Sequence, residues 1–122
     1  MTITIITTAL CASLLTVLSL QLMGWTPPNP VAVKLENAKV KISEVTYNPA
    51  VPRERFIRPT DQVIVFLDDC KYERKDSVTG EKTIRTRKAG EVIWHDKGED
   101  APVLTNLGTK PYRSLSIELK AQ

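Results

Sequence analysis

Arg53, Arg55 and Arg58 crowd one short stretch, and Gln62 follows four residues after the last of them. Side chains alternate along an extended chain, so Phe56, Arg58, Thr60 and Gln62 share a face with Ile64 and Phe66. A guanidinium facing an apolar interior needs a carboxylate or a bound anion as partner. A positive charge beside an aromatic wall and an amide suits a small carboxylate or other anion, held by charge-assisted hydrogen bonds. The competing placement leaves Arg58 at an open rim, in water or paired with Asp61 or Glu54.

His95 is the chain's one histidine, following the apolar run Val92-Ile93-Trp94, with Asp61 or Asp96 as its carboxylate neighbours. A transition metal needs several imidazole or deprotonated ligands converging at fixed distance, and one histidine with distant carboxylates is a poor set. The competing reading is a strand-end histidine hydrogen-bonded to backbone. Nucleophilic catalysis has little support: there is no Gly-x-Ser-x-Gly and no cysteine with a local histidine. Phosphate loops of the Gly-x4-Gly-Lys type are absent. Cys70 follows Asp68-Asp69, whose charges raise a thiol pKa, so it reads as an inert strand-end thiol.

The elements that position these residues read as strands. Val63-Ile64-Val65-Phe66-Leu67 is an apolar, β-branched run too short for a helix. Val31, Val33 and Leu35 alternate with polar or small neighbours, as do Val40 and Ile42, and Leu115-Ser116-Ile117-Glu118-Leu119 alternates most cleanly. Thr79-Gly80 marks a hairpin tip between two charged segments, and Gly90 breaks the chain before Val92. That hairpin reads mainly as a solvated ribbon, with Arg74 on a water-facing rim. After residue 30 no apolar pattern recurs at helical spacing, so residues 31–122 are expected to form one all-β domain of roughly seven to nine short strands.

Residues 1–30 carry no charged side chain; all 17 Lys+Arg and all 14 Asp+Glu follow them. Residues 1–25 read as a signal peptide or membrane anchor and residues 26–30 as a Pro-rich linker. Either role for residues 1–25 makes the domain periplasmic or secreted, or membrane-anchored by that segment. A net charge of +3 over 122 residues argues against a nucleic-acid partner.

The order of elements resembles a single-domain cupin, a double-stranded β-helix of jelly-roll type. The matching pieces are Tyr47-Asn48-Pro49, R-P-T-D-Q, VIVFLDD, K-A-G-E-V-I-W, and T-N-L-G-T-K-P-Y-R-S-L-S-I-E-L. Together they span about residues 38–120. The resemblance implies a divalent metal held by three His and one Glu. The first family motif, G-x5-H-x-H-x3-E-x6-G, falls here on Ala50, Phe56, Arg58, Gln62 and Asp69. The second, G-x5-P-x-G-x2-H-x3-N, keeps Gly90 and Gly98, puts Asp96 at the proline and Ala101 or Pro102 at the histidine, and fits Asn106 with a one-residue shift. The spacing survives while the ligands do not.

The expected function is therefore an exported, cupin-like small-molecule-binding domain without the usual metal or any other cofactor. Its ligand would be a small anion held by Arg58, Gln62, Phe56 and His95. Two alternatives stay open: a divergent enzyme with a metal site rearranged around His95, Gln62 and an Asp, and a structural or homodimerising β-domain.

Overall fold

The computed structural model describes residues 27–120, which are entirely strand, turn and loop. The expected signal peptide or anchor, residues 1–25, lies outside the described residues. The last residues of the Pro-rich stretch are tied to the domain: Asn29 Oδ1 accepts from Asn48 N at 2.8 Å, and Pro30 O accepts from Thr46 N.

Eleven strands form among the described residues, more than the sequence suggests, because five are two-to-four-residue pieces too short to show a period. They are β1 Val31–Glu36, β2 Val40–Tyr47, β3 Pro52–Arg53, β4 Phe56–Ile57, β5 Asp61–Phe66, β6 Cys70–Lys75, β7 Lys82–Arg87, β8 Val92–His95, β9 Asp100–Ala101, β10 Val103–Asn106 and β11 Tyr112–Leu119. A five-stranded sheet runs β1-β2-β11-β5-β8, a four-stranded sheet β3-β10-β6-β7, and β4 pairs with β9; every pairing is antiparallel. Pairs between the first and last thirds of the chain, β2 with β11 above all, close the fold as a jelly roll.

The turns follow from residue chemistry. At the β6–β7 tip, Asp76 Oδ1 accepts from Val78 N at 2.9 Å and Thr79 N at 2.8 Å, and Gly80 supplies the left-handed φ of +74°. Between β10 and β11, buried Asn106 donates to the carbonyls of Tyr47 and Lys110 at 2.9 Å each and accepts from Gly108 N at 2.7 Å. A Cβ on Gly108 would sit 3.1 Å from that Asn106 oxygen, close enough that the Asn106 side chain would have to shift by a few tenths of an ångström.

The core is small and aromatic. Tyr47 and Tyr112 stack with centroids 4.9 Å apart, and Tyr72 lies 6.3 Å from both Phe66 and Tyr112. Val45, Ile64, Ile93 and Leu104 pack against the rings. Burying each ring contributes about 1.5–3 kcal/mol, the main apolar stabilisation this fold has.

One row on the inner face of the five-stranded sheet is polar, although Tyr47, Ile64, Phe66 and Tyr112 on that face form the core. Directly opposed residues point to one face, and the register links His95, Gln62, Glu118, Lys41 and Glu36 across all five strands. Gln62 in that row is buried, so the polar row faces the barrel interior. One residue along, Trp94, Val63, Ile117, Ile42 and Leu35 form the corresponding row on the outer face.

Candidate functional site: an arginine-lined cavity

Arg58 enters the barrel from the loop between β4 and β5 and is 5% exposed. Its Nη1 donates to Gln62 Oε1 at 2.6 Å, and its Nε lies 3.6 Å from Glu99 Oε2. The rim placement is thus replaced by an interior one. The carboxylate beside Arg58 is Glu99, from the loop before β9, rather than Asp61 or Glu54. Asp61 instead caps the turn by accepting from Lys97 N at 2.8 Å. Gln62 is equally buried, and its Nε2 reaches towards Glu118 Oε1 at 3.4 Å.

Phe56 shares the expected side but is only half-covered. Its ring lies across the entrance, with the guanidinium carbons of Arg53 and Arg58 at 5.2 and 5.5 Å from its centroid. It is a cover over two charges rather than an inner wall. His95 lies beside Gln62 in the strand register and lines the cavity, its Nδ1 hydrogen-bonded to Glu99 Oε2. Neither carboxylate expected beside it serves: Asp96 is engaged by Trp94 Nε1 at 2.8 Å, and Asp61 by Lys97. Nor is its ring bonded to backbone. Its pKa is lowered, first by burial and then by the nearby Arg58 charge, against the pull of Glu99.

The cavity has a volume of about 200 Å³ and is lined by five arginines, Arg53, Arg58, Arg74, Arg85 and Arg87, with Asp100 as the only carboxylate. Asp100 is itself engaged outward, by Arg55 Nε and Ser77 Oγ at 2.6 Å each. Its pKa is held down by those partners, the Ser77 bond first. Arg74 is therefore no solvated rim residue. Strand β6 turns Cys70, Tyr72 and Arg74 inward, and the register places Arg85 opposite Tyr72 and Arg87 opposite Cys70 on the same face. Arg87 Nε donates to Tyr72 Oη at 3.3 Å and its guanidinium lies 5.6 Å from the Phe66 centroid. The alternation around Tyr72 carried the signal for these three arginines; the density of charge in the hairpin obscured it. Cys70, half-buried beneath them, has its pKa pushed up to about 11 by burial.

Two of the guanidiniums are incompletely bonded. Among the described residues the buried Nε atoms of Arg53 and Arg58 have no hydrogen-bond partner, that of Arg58 having Glu99 at ion-pair distance only; Arg53 Nη2 bonds the Pro102 carbonyl. Burial lowers the pKa of Arg58, and the neighbouring Arg53 lowers it further. A second, wider cavity of about 520 Å³ adjoins the first on the β1–β2 side and shares Tyr47, Arg53, Arg58, Ile64 and Ser114 with it. Arg53 and Arg58 thus stand at the boundary between a cationic inner chamber and a larger outer one, edged by Phe56 and the polar inner row.

The structure resembles solved proteins of one architecture. It matches a cupin domain from Bordetella pertussis with a TM-score of 0.69 at 18% identity, over 80% of this chain and 98% of that one. A Klebsiella pneumoniae protein with a double-stranded β-helix domain matches with a TM-score of 0.60 at 15% identity, over 78% and 79% of the two chains. A cupin domain of an XRE-family transcriptional regulator from Enterobacter cloacae matches at 0.60 and 14%, over 79% and 100%. The fold is the cupin fold, as the resemblance in the sequence implied. No family model matches the sequence, and no curated protein matches it.

Many proteins of this fold hold a metal, and the residues here do not fit one. The motif positions carry Phe56, Arg58 and Gln62, and among the described residues no group of three His, Cys, Asp or Glu converges. The buried Arg58 charge would oppose a cation, and His95 has one carboxylate, Glu99, in reach.

Proposed function

We propose that this barrel binds a small anion carrying more than one negative charge, with Arg58 as its central anchor. The observation that carries this reading is the set of five guanidiniums around about 200 Å³, with the sole lining carboxylate already neutralised from outside. Like charges gathered around one cavity repel, most strongly near the buried Arg58, and a multiply charged anion removes that repulsion while meeting the Nε–H donors of Arg53 and Arg58. Phosphate, sulfate and short dicarboxylates have the size and charge for the inner chamber. Gln62 holds the Arg58 fork in place, and Phe56 shields the charges from water at the entrance. Nothing in the chamber pairs a nucleophile with a base, so the reading is a binding domain rather than an enzyme.

The uncharged N-terminal stretch supports export of this domain, with the ligand met outside the cytoplasm. A thermal-shift series tests the binding claim: phosphate, sulfate and short dicarboxylates against their neutral amide or ester counterparts. The anions should raise the melting temperature in a saturable way and the neutral compounds should not. If no anion does so beyond a matched concentration of sodium chloride, the binding reading fails.

A further inference from the structure

The two chambers meet at Arg53 and Arg58, which line both, but their linings differ in kind. Positive charge is gathered in the inner one. The outer one, about 520 Å³ in volume, mixes signs: Lys41 and Glu118 both line it. Its floor is the inner face of β2, β5 and β11. There the register sets Ser43 opposite Ser116 and Lys41 opposite Glu118, with Gln62 on the other side of Glu118. Directly opposed side chains on one face lie about 4.5–5.5 Å apart, so these five form one patch. The patch holds a donor-only ammonium, an acceptor-only carboxylate, an amide and two hydroxyls. Glu118 keeps acceptor capacity, since Gln62 Nε2 meets one of its oxygens at the long distance of 3.4 Å. The apolar side chains of Val31 and Phe56 edge the same chamber.

We infer that the ligand is the phosphate monoester of a small polyol, its phosphate among the arginines and its hydroxyl-bearing carbons on the floor of the outer chamber. This rests on the anion reading above and adds what the anion is attached to. A phosphate monoester keeps close to two negative charges and three free acceptor oxygens near neutral pH, while its fourth oxygen carries the body out past Arg53 and Arg58. The patch then selects the chemistry of that body. A carboxylate at its far end would meet Glu118, and an ammonium would meet Lys41. A plain hydrocarbon would strip water from five polar groups and return no hydrogen bonds. A hydroxyl both donates and accepts, so it can accept from Lys41, donate to Glu118 and pair with either serine. The two apolar side chains at the edge suit the carbon skeleton. A ligand charged at one end and hydroxylated at the other thus matches both chambers, whereas free phosphate leaves the larger one to water.

Titration calorimetry of the full chain with four probes at constant ionic strength and pH 7.5 tests it. The probes are inorganic phosphate, propyl phosphate, glycerol phosphate and a phosphoglycerate, which carries a carboxylate at the far end. Glycerol phosphate should bind roughly ten-fold more tightly than inorganic phosphate and several-fold more tightly than propyl phosphate, its counterpart without hydroxyls. The phosphoglycerate should bind more weakly than glycerol phosphate. Two variants read the patch through ratios of affinity, which a general loss of stability does not move. Ser116→Leu puts a hydrocarbon on the floor and should bring glycerol phosphate down to the level of propyl phosphate. Glu118→Gln removes the repelling charge and should raise the phosphoglycerate several-fold relative to glycerol phosphate. Should Ser116→Leu fail to fold, the Glu118→Gln ratio still decides. If no probe binds, the anion reading falls and this inference with it. If inorganic phosphate binds but glycerol phosphate is no tighter than it or than propyl phosphate, this inference alone is overturned. An unchanged phosphoglycerate ratio in Glu118→Gln overturns it equally.

Discussion

Arg58 and Gln62, four residues apart, are joined by a 2.6 Å hydrogen bond inside the barrel, and both are almost wholly buried. At the corresponding motif positions, proteins of the resembled family carry metal ligands. Here the same two positions hold a fixed cation and the amide that orients it. Gln62→Ala removes that acceptor and leaves a buried guanidinium nitrogen without its partner. The expected cost is about 1–3 kcal/mol, and about 4–8 °C of melting temperature per kcal/mol for a domain this size. Gln62→Glu should instead strengthen the pair and abolish anion binding, because the new carboxylate occupies the charge. Thermal melts with and without sulfate separate the two effects.

The arginines of β6 and β7 are expected to share in binding. Arg74→Ala and Arg87→Ala should each weaken sulfate binding several-fold, while Arg113→Ala, whose side chain is half-exposed and paired with Asp68 away from the cavity, should change it little. Titration calorimetry of the three variants at constant ionic strength checks this. Equal affinities for all three would mean that the inner chamber is not where the anion sits.

His95 gives the site a pH dependence. Burial and the nearby Arg58 charge hold its folded pKa below the ordinary imidazole value, so in that range the folded chain binds fewer protons than the unfolded chain. Stability without ligand should therefore fall as pH drops below about 6.5, and His95→Gln should flatten that slope. An anion in the chamber offsets the Arg58 and Arg53 charges that lower this pKa, so binding takes up a proton. Sulfate, a dianion throughout this range, should bind more tightly at pH 5.5 than at pH 7.5 in the wild type and equally in His95→Gln.

Ala50 adopts a φ of +62°, in the left-handed region, where its N donates to Asn106 O at 3.0 Å. A non-glycine residue costs roughly 1–2 kcal/mol there. Ala50→Gly relieves it and should raise stability by about 0.5–1 kcal/mol after the added freedom of the unfolded chain is counted. Asn106→Ala should act oppositely and more strongly, since three hydrogen bonds, one buried and two partly buried, depend on that side chain. Chemical denaturation of both variants measures the pair.

Much of this fold can be read from alternation. The inward set Gln62, Ile64 and Phe66 follows from period two through β5, with Arg58 on the same parity just before it, and Thr79-Gly80 marks the β6–β7 turn, where Asp76 and glycine have few other uses. Alternation separates two faces but does not say which is inside. Ser114-Leu115-Ser116-Ile117 reads naturally with Leu115 and Ile117 in a core, yet the serines line the barrel and the apolar residues face outward. Glu99, the carboxylate that meets both Arg58 and His95, precedes a strand of two residues, where no period exists to place it. Arg74, Arg85 and Arg87 were hidden because a charged hairpin is usually solvated on both faces, and only closure of the barrel turns one of them inward.

The most direct test of the account is nuclear magnetic resonance of the arginine Nε–H groups during a sulfate titration. The buried Nε–H protons of Arg53 and Arg58, which have no hydrogen-bond acceptor among the described residues, should move downfield together and saturate with a single dissociation constant. That of Arg113, already bonded to Asp68 at 3.1 Å on the surface, should stay in place. If the Arg53 and Arg58 signals stay unmoved, or drift linearly with salt without saturating, the barrel is not an anion site.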